Sequence, residues 1–256
     1  MSTLKVNDIS KSFRGVKAVR GISFEVGPGE MMALIGPNGA GKSTCFNMLN
    51  GQLRPDTGSV HFDGQDITGS SPGQIWRRGV GRTFQIAQTF GSMTVRENVQ
   101  MVLHSVNRRL LGLWSPLGAG YVEEADELLE AVGMHTQADR ACCVLAYGDV
   151  KRLELAMALA NRPKLLLMDE PTAGMAPKER NELMSLTARL VRERGLSVLF
   201  TEHSVDVVFE HADMVVVMSR GELIARGVPA DIRDDPHVQE VYLGTGAFLE
   251  TSDIGQ

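Results

Sequence analysis

The stretch Gly36-Pro37-Asn38-Gly39-Ala40-Gly41-Lys42-Ser43-Thr44, directly after the unbroken apolar run Met31-Met32-Ala33-Leu34-Ile35, constrains this chain more than any other part of it. A five-residue run with no polar alternation is the mark of a strand buried on both faces. The glycines let the backbone turn so that its N–H groups converge, and a helix expected to start near Lys42 adds the partial positive charge of its N-terminus. The nine residues fit G-x-x-x-x-G-K-[ST] in full, and that pattern cradles phosphate. Lys42 would set an ammonium against the β- and γ-phosphates, and Ser43 would offer its hydroxyl to Mg²⁺. The plain alternative is a glycine turn between a strand and a helix; average residue usage gives such a match about one chance in a hundred.

A second apolar run, Leu165-Leu166-Leu167-Met168, ends in Asp169 and Glu170. An acid at the tip of a strand beside a phosphate loop can hold Mg²⁺, which suits Asp169, and its neighbour Glu170 can orient and polarise the attacking water. An exposed strand end with two ordinary acids is the competing reading, and the phosphate loop weighs against it. Ser197 to Thr201 and Met214 to Ser219 are two more strand-like runs, and between them and the acids a helix opening at Pro177 carries Leu183, Leu186 and Leu190 at helical spacing. Strand and helix in alternation imply an α/β fold with a mostly parallel sheet and helices on both faces. Upstream, Leu4 to Ile9 and Ile22 to Val26 alternate as half-buried strands do. Between about Gln85 and Asn161 helical patterns replace them, as in Val122, Ala125, Leu128, Leu129 and Val132. His104 to Tyr121 reads either as a loop or as a partly exposed patch for a partner.

At 256 residues, 43% hydrophobic and 22% charged, the chain has ample material for a core, in one large domain or two small ones. A net charge of -5 argues against bulk binding of nucleic acid. Three cysteines make no disulfide framework; Cys45, Cys142 and Cys143 are expected to be small buried hydrophobes in a reducing compartment. The N-terminus has no signal-peptide pattern, and no apolar run approaches the ~20 residues of a membrane span. If the chain works at a membrane, another protein must hold it there.

Together with further segments, these motifs resemble the ABC ATPase family over about residues 3 to 245. The resemblance implies a P-loop NTPase core of RecA-like type with a mostly parallel sheet, an N-terminal antiparallel β part and a helical insertion. It implies one ABC ATPase domain over 1–256, with 1–84 and 162–256 as the α/β core and 85–161 as the helical subdomain. Arg82-Thr83-Phe84-Gln85 looks like the Q-loop, in which Gln85 would reach Mg²⁺ and the catalytic water and sense a transmembrane partner. Thr201-Glu202-His203 looks like the switch, with His203 on the γ-phosphate, and Phe13 lies where an aromatic ring stacks on adenine. Leu145-Ala146-Tyr147-Gly148-Asp149 stands where the signature LSGGQ belongs, so Tyr147 and Gly148 would contact ATP on the opposite subunit. Ala173 to Ala176 follows Glu170 at the D-loop position. Taken singly, Gln85 reads as a surface residue, His203 as structural and Phe13 as core; order and spacing favour the functional set.

Four positions depart from the pattern. The signature serine is Ala146, its first glycine Tyr147, its glutamine Asp149, and the D-loop aspartate is Ala176. Losing the serine hydroxyl removes a hydrogen bond worth about 1.5–3 kcal/mol to a charged acceptor, and an aspartate facing triphosphate would repel it. The tyrosine in the signature, Arg-Thr-Phe-Gln, Pro171 to Glu179 and the C-terminal run Ala230 to Gly244 are similar to the ATP-binding subunits of branched-chain amino-acid importers. That similarity implies ATP and Mg²⁺, a second ATPase subunit (identical or a paralogue), transmembrane permease subunits and, indirectly, a substrate-binding protein, on the cytoplasmic face of the cell membrane and with no nucleic acid. A soluble ABC ATPase acting on nucleic acid or ribosomes, a small-molecule kinase and a non-hydrolysing regulatory subunit are the rival readings.

Overall fold

A computed structural model describes residues 3–83, 89–107 and 120–243. Its strands form two sheets. In the first, β1 (Leu4–Phe13), β2 (Val16–Val26), β4 (Thr57–Phe62) and β5 (Gln65–Asp66) pair antiparallel in the order β2-β1-β4-β5. The second runs β10-β9-β3-β8-β7-β6 and uses β3 (Met31–Ile35), β6 (Val80–Thr83), β7 (Leu165–Asp169), β8 (Ser197–Thr201), β9 (Met214–Ser219) and β10 (Glu222–Gly227). Five of these are parallel, and β10 closes one edge antiparallel to β9. The architecture is the α/β core with an antiparallel N-terminal sheet that the sequence implied.

The described α-helices are α1 (Lys42–Leu49), α2 (Pro72–Arg77), α3 (Val95–Val106), α4 (Val122–Ala131), α5 (Tyr147–Leu159), α6 (Pro177–Arg194), α7 (Val205–His211), α8 (Pro229–Asp234) and α9 (Pro236–Leu243), with short 3-10 turns at His135–Gln137 and Cys142–Val144. Local chemistry marks their ends. Thr94 and Glu97 close a reciprocal capping box on α3, Pro177 occupies the first turn of α6, and Gly195, at φ 64, terminates it. No described helix is long and apolar enough to cross a membrane.

The pleat of β3 assigns its side chains to two different cores. Met31, Ala33 and Ile35 join the cluster built with α3, α4, α5 and α6, including Val99, Leu129, Leu153 and Leu190. Met32 and Leu34 join the cluster built with the antiparallel sheet and α1, including Phe24, Phe46, Leu49 and Phe62. All five are buried, which is why the run shows no alternation.

Two expectations need correction and a third needs refinement. The alternation at Leu4 to Ile9 breaks at Asp8, whose backbone turns to φ 48 and whose N–H donates to Ser23 Oγ (2.8 Å), leaving Ile9 buried. Val122, at helical spacing with Ala125 and Leu129, lies in the first turn of α4 and is 38% exposed, whereas those two are buried. Cys143 is exposed, whereas Cys45 and Cys142 are buried. Full burial pushes the Cys45 thiol up to about 12 and removes the thiolate at neutral pH. We therefore predict that a thiol reagent at pH 8 labels Cys143 in the native protein and reaches Cys45 and Cys142 only after denaturation. Equal labelling of all three without denaturant would contradict this burial.

Candidate functional site

The phosphate loop leaves β3 at Gly36 and enters α1 after Gly41, two positions with no room for a side chain. A Cβ on Gly36 would lie 2.2 Å from the Met218 carbonyl oxygen, and one on Gly41, at φ 104, would lie 2.4 Å from the Ala18 carbonyl oxygen. One carbonyl belongs to the central sheet and the other to the antiparallel sheet, so the loop is clasped between both. The crevice above it, about 210 Å³, is lined by Ala18, Asn38, Gly39, Ala40, Gly41, Lys42, Ser43, Thr44, Glu170 and His203. Sequence separation of more than a hundred residues is closed here by the parallel pairing of β3 with β8 and of β8 with β7.

Lys42 is buried, and its Nζ donates to the carbonyls of Gly36 (2.6 Å) and Pro37 (3.1 Å). Burial holds its pKa below the ordinary lysine value, against the opposing pull of the Glu170 and Asp169 carboxylates. The loop thus holds its own cation in place before any phosphate arrives.

Thr201, at the end of β8, organises the two acids. Its hydroxyl donates to Asp169 Oδ1 (2.8 Å), while the Glu170 N–H donates to both the Thr201 carbonyl and its Oγ1 (each 3.1 Å). These bonds hold Glu170 at φ 49, a left-handed conformation that costs an L-residue about 1–2 kcal/mol. The twist turns the carboxylate into the crevice, where Glu170 Oε1 lies 2.8 Å from His203 Nε2. Asp169 stays behind the lining and faces Arg82, whose Nη2 is 4.0 Å from Oδ2. Burial lowers the Arg82 pKa, and Asp169 opposes that shift. Glu202, buried next to His203, accepts from the backbone N–H (2.9 Å) and hydroxyl (2.7 Å) of Thr172. That bond ties the turn after Glu170 to the switch.

The donor-type residues stand apart. Neither Tyr147 nor Gly148 lines the crevice; both belong to the head of α5. Ala146 is the N-cap and makes no side-chain cap bond. Asp149 is turned inward, its Oδ2 accepting from Gln137 Nε2 at 3.0 Å, so its charge has a partner within the chain. Phe13, half exposed at the β1–β2 turn, is outside the crevice lining, and Lys11 Nζ lies 5.9 Å from its ring centre. Gln85 lies outside the described residues.

Residues 19–173 match the family described as ABC transporter, and residues 222–247 match one described as branched-chain amino acid ATP-binding cassette transporter. The chain belongs to the ABC transporter family. Among curated members of this family, it is 40% identical over 248 residues to the high-affinity branched-chain amino acid transport ATP-binding protein BraF of Pseudomonas aeruginosa, covering 94% of this chain and 97% of that one. It is 38% identical over 250 residues to the LivG protein of Escherichia coli K12, with the same coverage. A crystal structure of a nucleotide-free ATP-binding cassette from an ABC transporter superposes with a TM-score of 0.83 at 34% identity, over 94% of this chain and 99% of that one. A second, in the ADP conformation, gives 0.85 at 34% identity, over 95% and 99%. This ABC chain is thus an ATP-binding subunit with ATPase activity.

The donor set suits Mg²⁺. The Ser43 hydroxyl, in the crevice lining, and the Asp169 carboxylate, behind it and oriented by Thr201, offer the hard oxygens that such an ion takes. Among the described residues no group of three or more His, Cys, Asp or Glu could cage a metal, and an ion that takes one or two protein oxygens and completes its shell with phosphates and water needs none. Sequence reasoning gave no role to Thr201, Arg82, Ala18 or Glu202. Only the pairing of β7 with β8 makes Thr201 the neighbour of Asp169. Replacing the Thr201 hydroxyl by a methyl, in Thr201→Val, should lower ATPase turnover about ten- to hundredfold, the worth of one hydrogen bond to a charged group. Steady-state ATPase measurement checks it, and unchanged turnover would remove Thr201 from the site.

Proposed function

We propose that this chain powers an importer of branched-chain or related small amino acids or carboxylates by hydrolysing ATP at the crevice lined by its phosphate loop. The observation that carries the reading is the convergence of Lys42, Ser43, Glu170 and His203 on that crevice. Phosphoryl transfer to water needs little covalent help from the protein, so positioning and charge stabilisation do most of the catalysis. Backbone N–H groups of the loop and the Lys42 ammonium bind the β- and γ-phosphates. Glu170 orients the attacking water and accepts its proton. His203, whose Nε2 pairs with Glu170 Oε1 at 2.8 Å, would turn that N–H to the γ-phosphate when nucleotide binds. Ser43 and Asp169, with Gln85, would hold Mg²⁺, which supplies charge neutralisation at the phosphate oxygens.

One chain offers only half of such a site. We read residues 85–161 as the helical subdomain of a single ABC ATPase domain, presenting Tyr147 and Gly148 to the nucleotide of a second ATPase subunit. The inward turn of Asp149 toward Gln137 supports this, since it takes a negative charge away from where a triphosphate would sit. Ala146, with no hydroxyl to donate, favours a paralogue as the second subunit. Permease subunits would hold the pair at the cytoplasmic face of the membrane, and a binding protein would deliver substrate to them.

The candidate permease contact runs from Gln85 to about Asn98. Asn98 is fully buried and clamps its described part: its Oδ1 accepts from the Phe90 N–H (2.8 Å), and its Nδ2 donates to the carbonyls of Phe90 (3.2 Å) and Thr94 (2.9 Å). The clamp leaves the Phe90 ring 50% exposed on a fixed loop. The import assignment is tested by reconstituting the chain with its genomic neighbours in vesicles and measuring ATP-driven uptake of leucine, isoleucine and valine. Phe90→Ala should keep ATPase and lose transport in that assay; normal transport would discard Phe90 as a contact.

Glu170→Gln should retain ATP, with turnover reduced by roughly 10²-fold or more, as expected for loss of a positioned general base. It should also trap a closed dimer in size-exclusion chromatography with ATP. Wild-type turnover in this variant would take Glu170 out of the catalytic role.

A further inference from the structure

Helix α5 carries, one turn after its start, two charges with almost no water on them. Lys151 is 4% exposed and Glu154 6%, and their Nζ and Oε2 atoms lie 3.0 Å apart. Removing such a pair from water costs several kcal/mol per ion, and apolar residues of similar volume often serve a core as well or better. The surrounding residues of α5, Leu153, Leu155, Ala156 and Leu159, already supply its packing. The pair therefore does something that packing alone does not require. The Lys151 ammonium also lies over the ring of Tyr147, 5.6 Å from its centre, within the range of cation–π attraction. That ring is 45% exposed, and its Cε1 atom faces Gly174, where a Cβ would lie 3.7 Å away. Tyr147 thus stands between the head of α5 and the turn that follows Glu170.

We propose that Lys151 is a positioning residue for the two-subunit nucleotide site: anchored by Glu154, it holds the Tyr147 ring in the pose with which the head of α5 meets the nucleotide of the second subunit. The inference rests on the composite-site reading given above. An exposed tyrosine has two free side-chain torsions, and at this helix start Ala146 offers no side-chain bond to restrict the backbone. A buried ammonium on its ring supplies the restriction, and Glu154 Oε2, 3.0 Å away, holds it in place. Glu154 also forms part of the wall of a cavity of about 330 Å³ lined by Trp76, Arg82, Thr83, Val102 and Met157.

The test compares ATPase kinetics, nucleotide affinity of the single subunit and thermal stability among wild type, Lys151→Arg, the double variant Lys151→Met/Glu154→Leu, Tyr147→Ala, and the triple combination. The double variant removes the two facing charges together and should melt within about 5 °C of wild type. Its kcat should fall about tenfold, the scale of a desolvated cation–π contact. Nucleotide affinity of the single subunit, set by the phosphate loop, should not change. Lys151→Arg, which keeps a cation against the ring, should retain kcat. In the Tyr147→Ala background the Lys151/Glu154 exchange should have no further effect, because the ring it acts through is gone. Full kcat in the double variant, or losses that multiply in the Tyr147→Ala background, would overturn the proposal while leaving the composite site standing. Equal falls in melting temperature and nucleotide affinity would overturn it in favour of a structural role. A wild-type chain that hydrolyses no ATP, alone or with its paralogue, would overturn the composite reading and this inference together.

Discussion

Strand β3 belongs to two cores at once, and the site depends on that fact. Met31, Ala33 and Ile35 lock it to the helical side, while Met32 and Leu34 lock it to the antiparallel sheet and α1. A strand held on both faces cannot slide or tilt without opening a cavity on one side, at a cost of a few kcal/mol for a single large side chain. The phosphate loop inherits this rigidity at its entry. The Met218 carbonyl presses against Gly36 where the loop leaves β3, and the Ala18 carbonyl presses against Gly41 where it enters α1, one carbonyl from each sheet. Preorganised N–H groups follow from this architecture, since none of the flanking backbone is free to move.

The acids obtain their order from a different source. Asp169 and Glu170 are adjacent in sequence but face different ways, because Thr201 bonds one by its hydroxyl and the other through the backbone. Asp169 looks toward Arg82 on β6, and Glu170 looks toward His203 beyond β8. The order of the parallel sheet, β8-β7-β6, sets both directions. Glu202 and Thr172 then fasten the two loops to each other.

What the sequence reveals about such a molecule follows from burial. Strands β3, β7, β8 and β9 are covered on both faces, and their apolar runs are legible without alignment. Strand β6, Val-Gly-Arg-Thr, is as central to the site but carries a glycine and an arginine in four residues, and β10 is a half-exposed edge; neither leaves a hydrophobic trace. The phosphate loop and the acid pair are legible because their chemistry demands particular residue types at close spacing. Thr201 as the partner of Asp169, Ala18 as a wall of the crevice and Gln137 as the partner of Asp149 are products of tertiary pairing. The Asp149 case shows the limit well. The sequence raised the prospect of charge repulsion, and it could not show that a side chain twelve positions upstream donates a hydrogen bond to that carboxylate.

Glu170 is a non-glycine residue held in left-handed backbone, in the middle of the crevice. Glycine at this position would relax the chain and delete the carboxylate in one step. Stability and chemistry therefore ask for opposite residues at the same place, a conflict of the kind expected where function depends on a strained conformation. The threonine bonds that hold the twist are what let chemistry prevail. A fold refined for robustness alone would have no reason to keep them, so the discomfort of one peptide is itself a record of what the crevice is for.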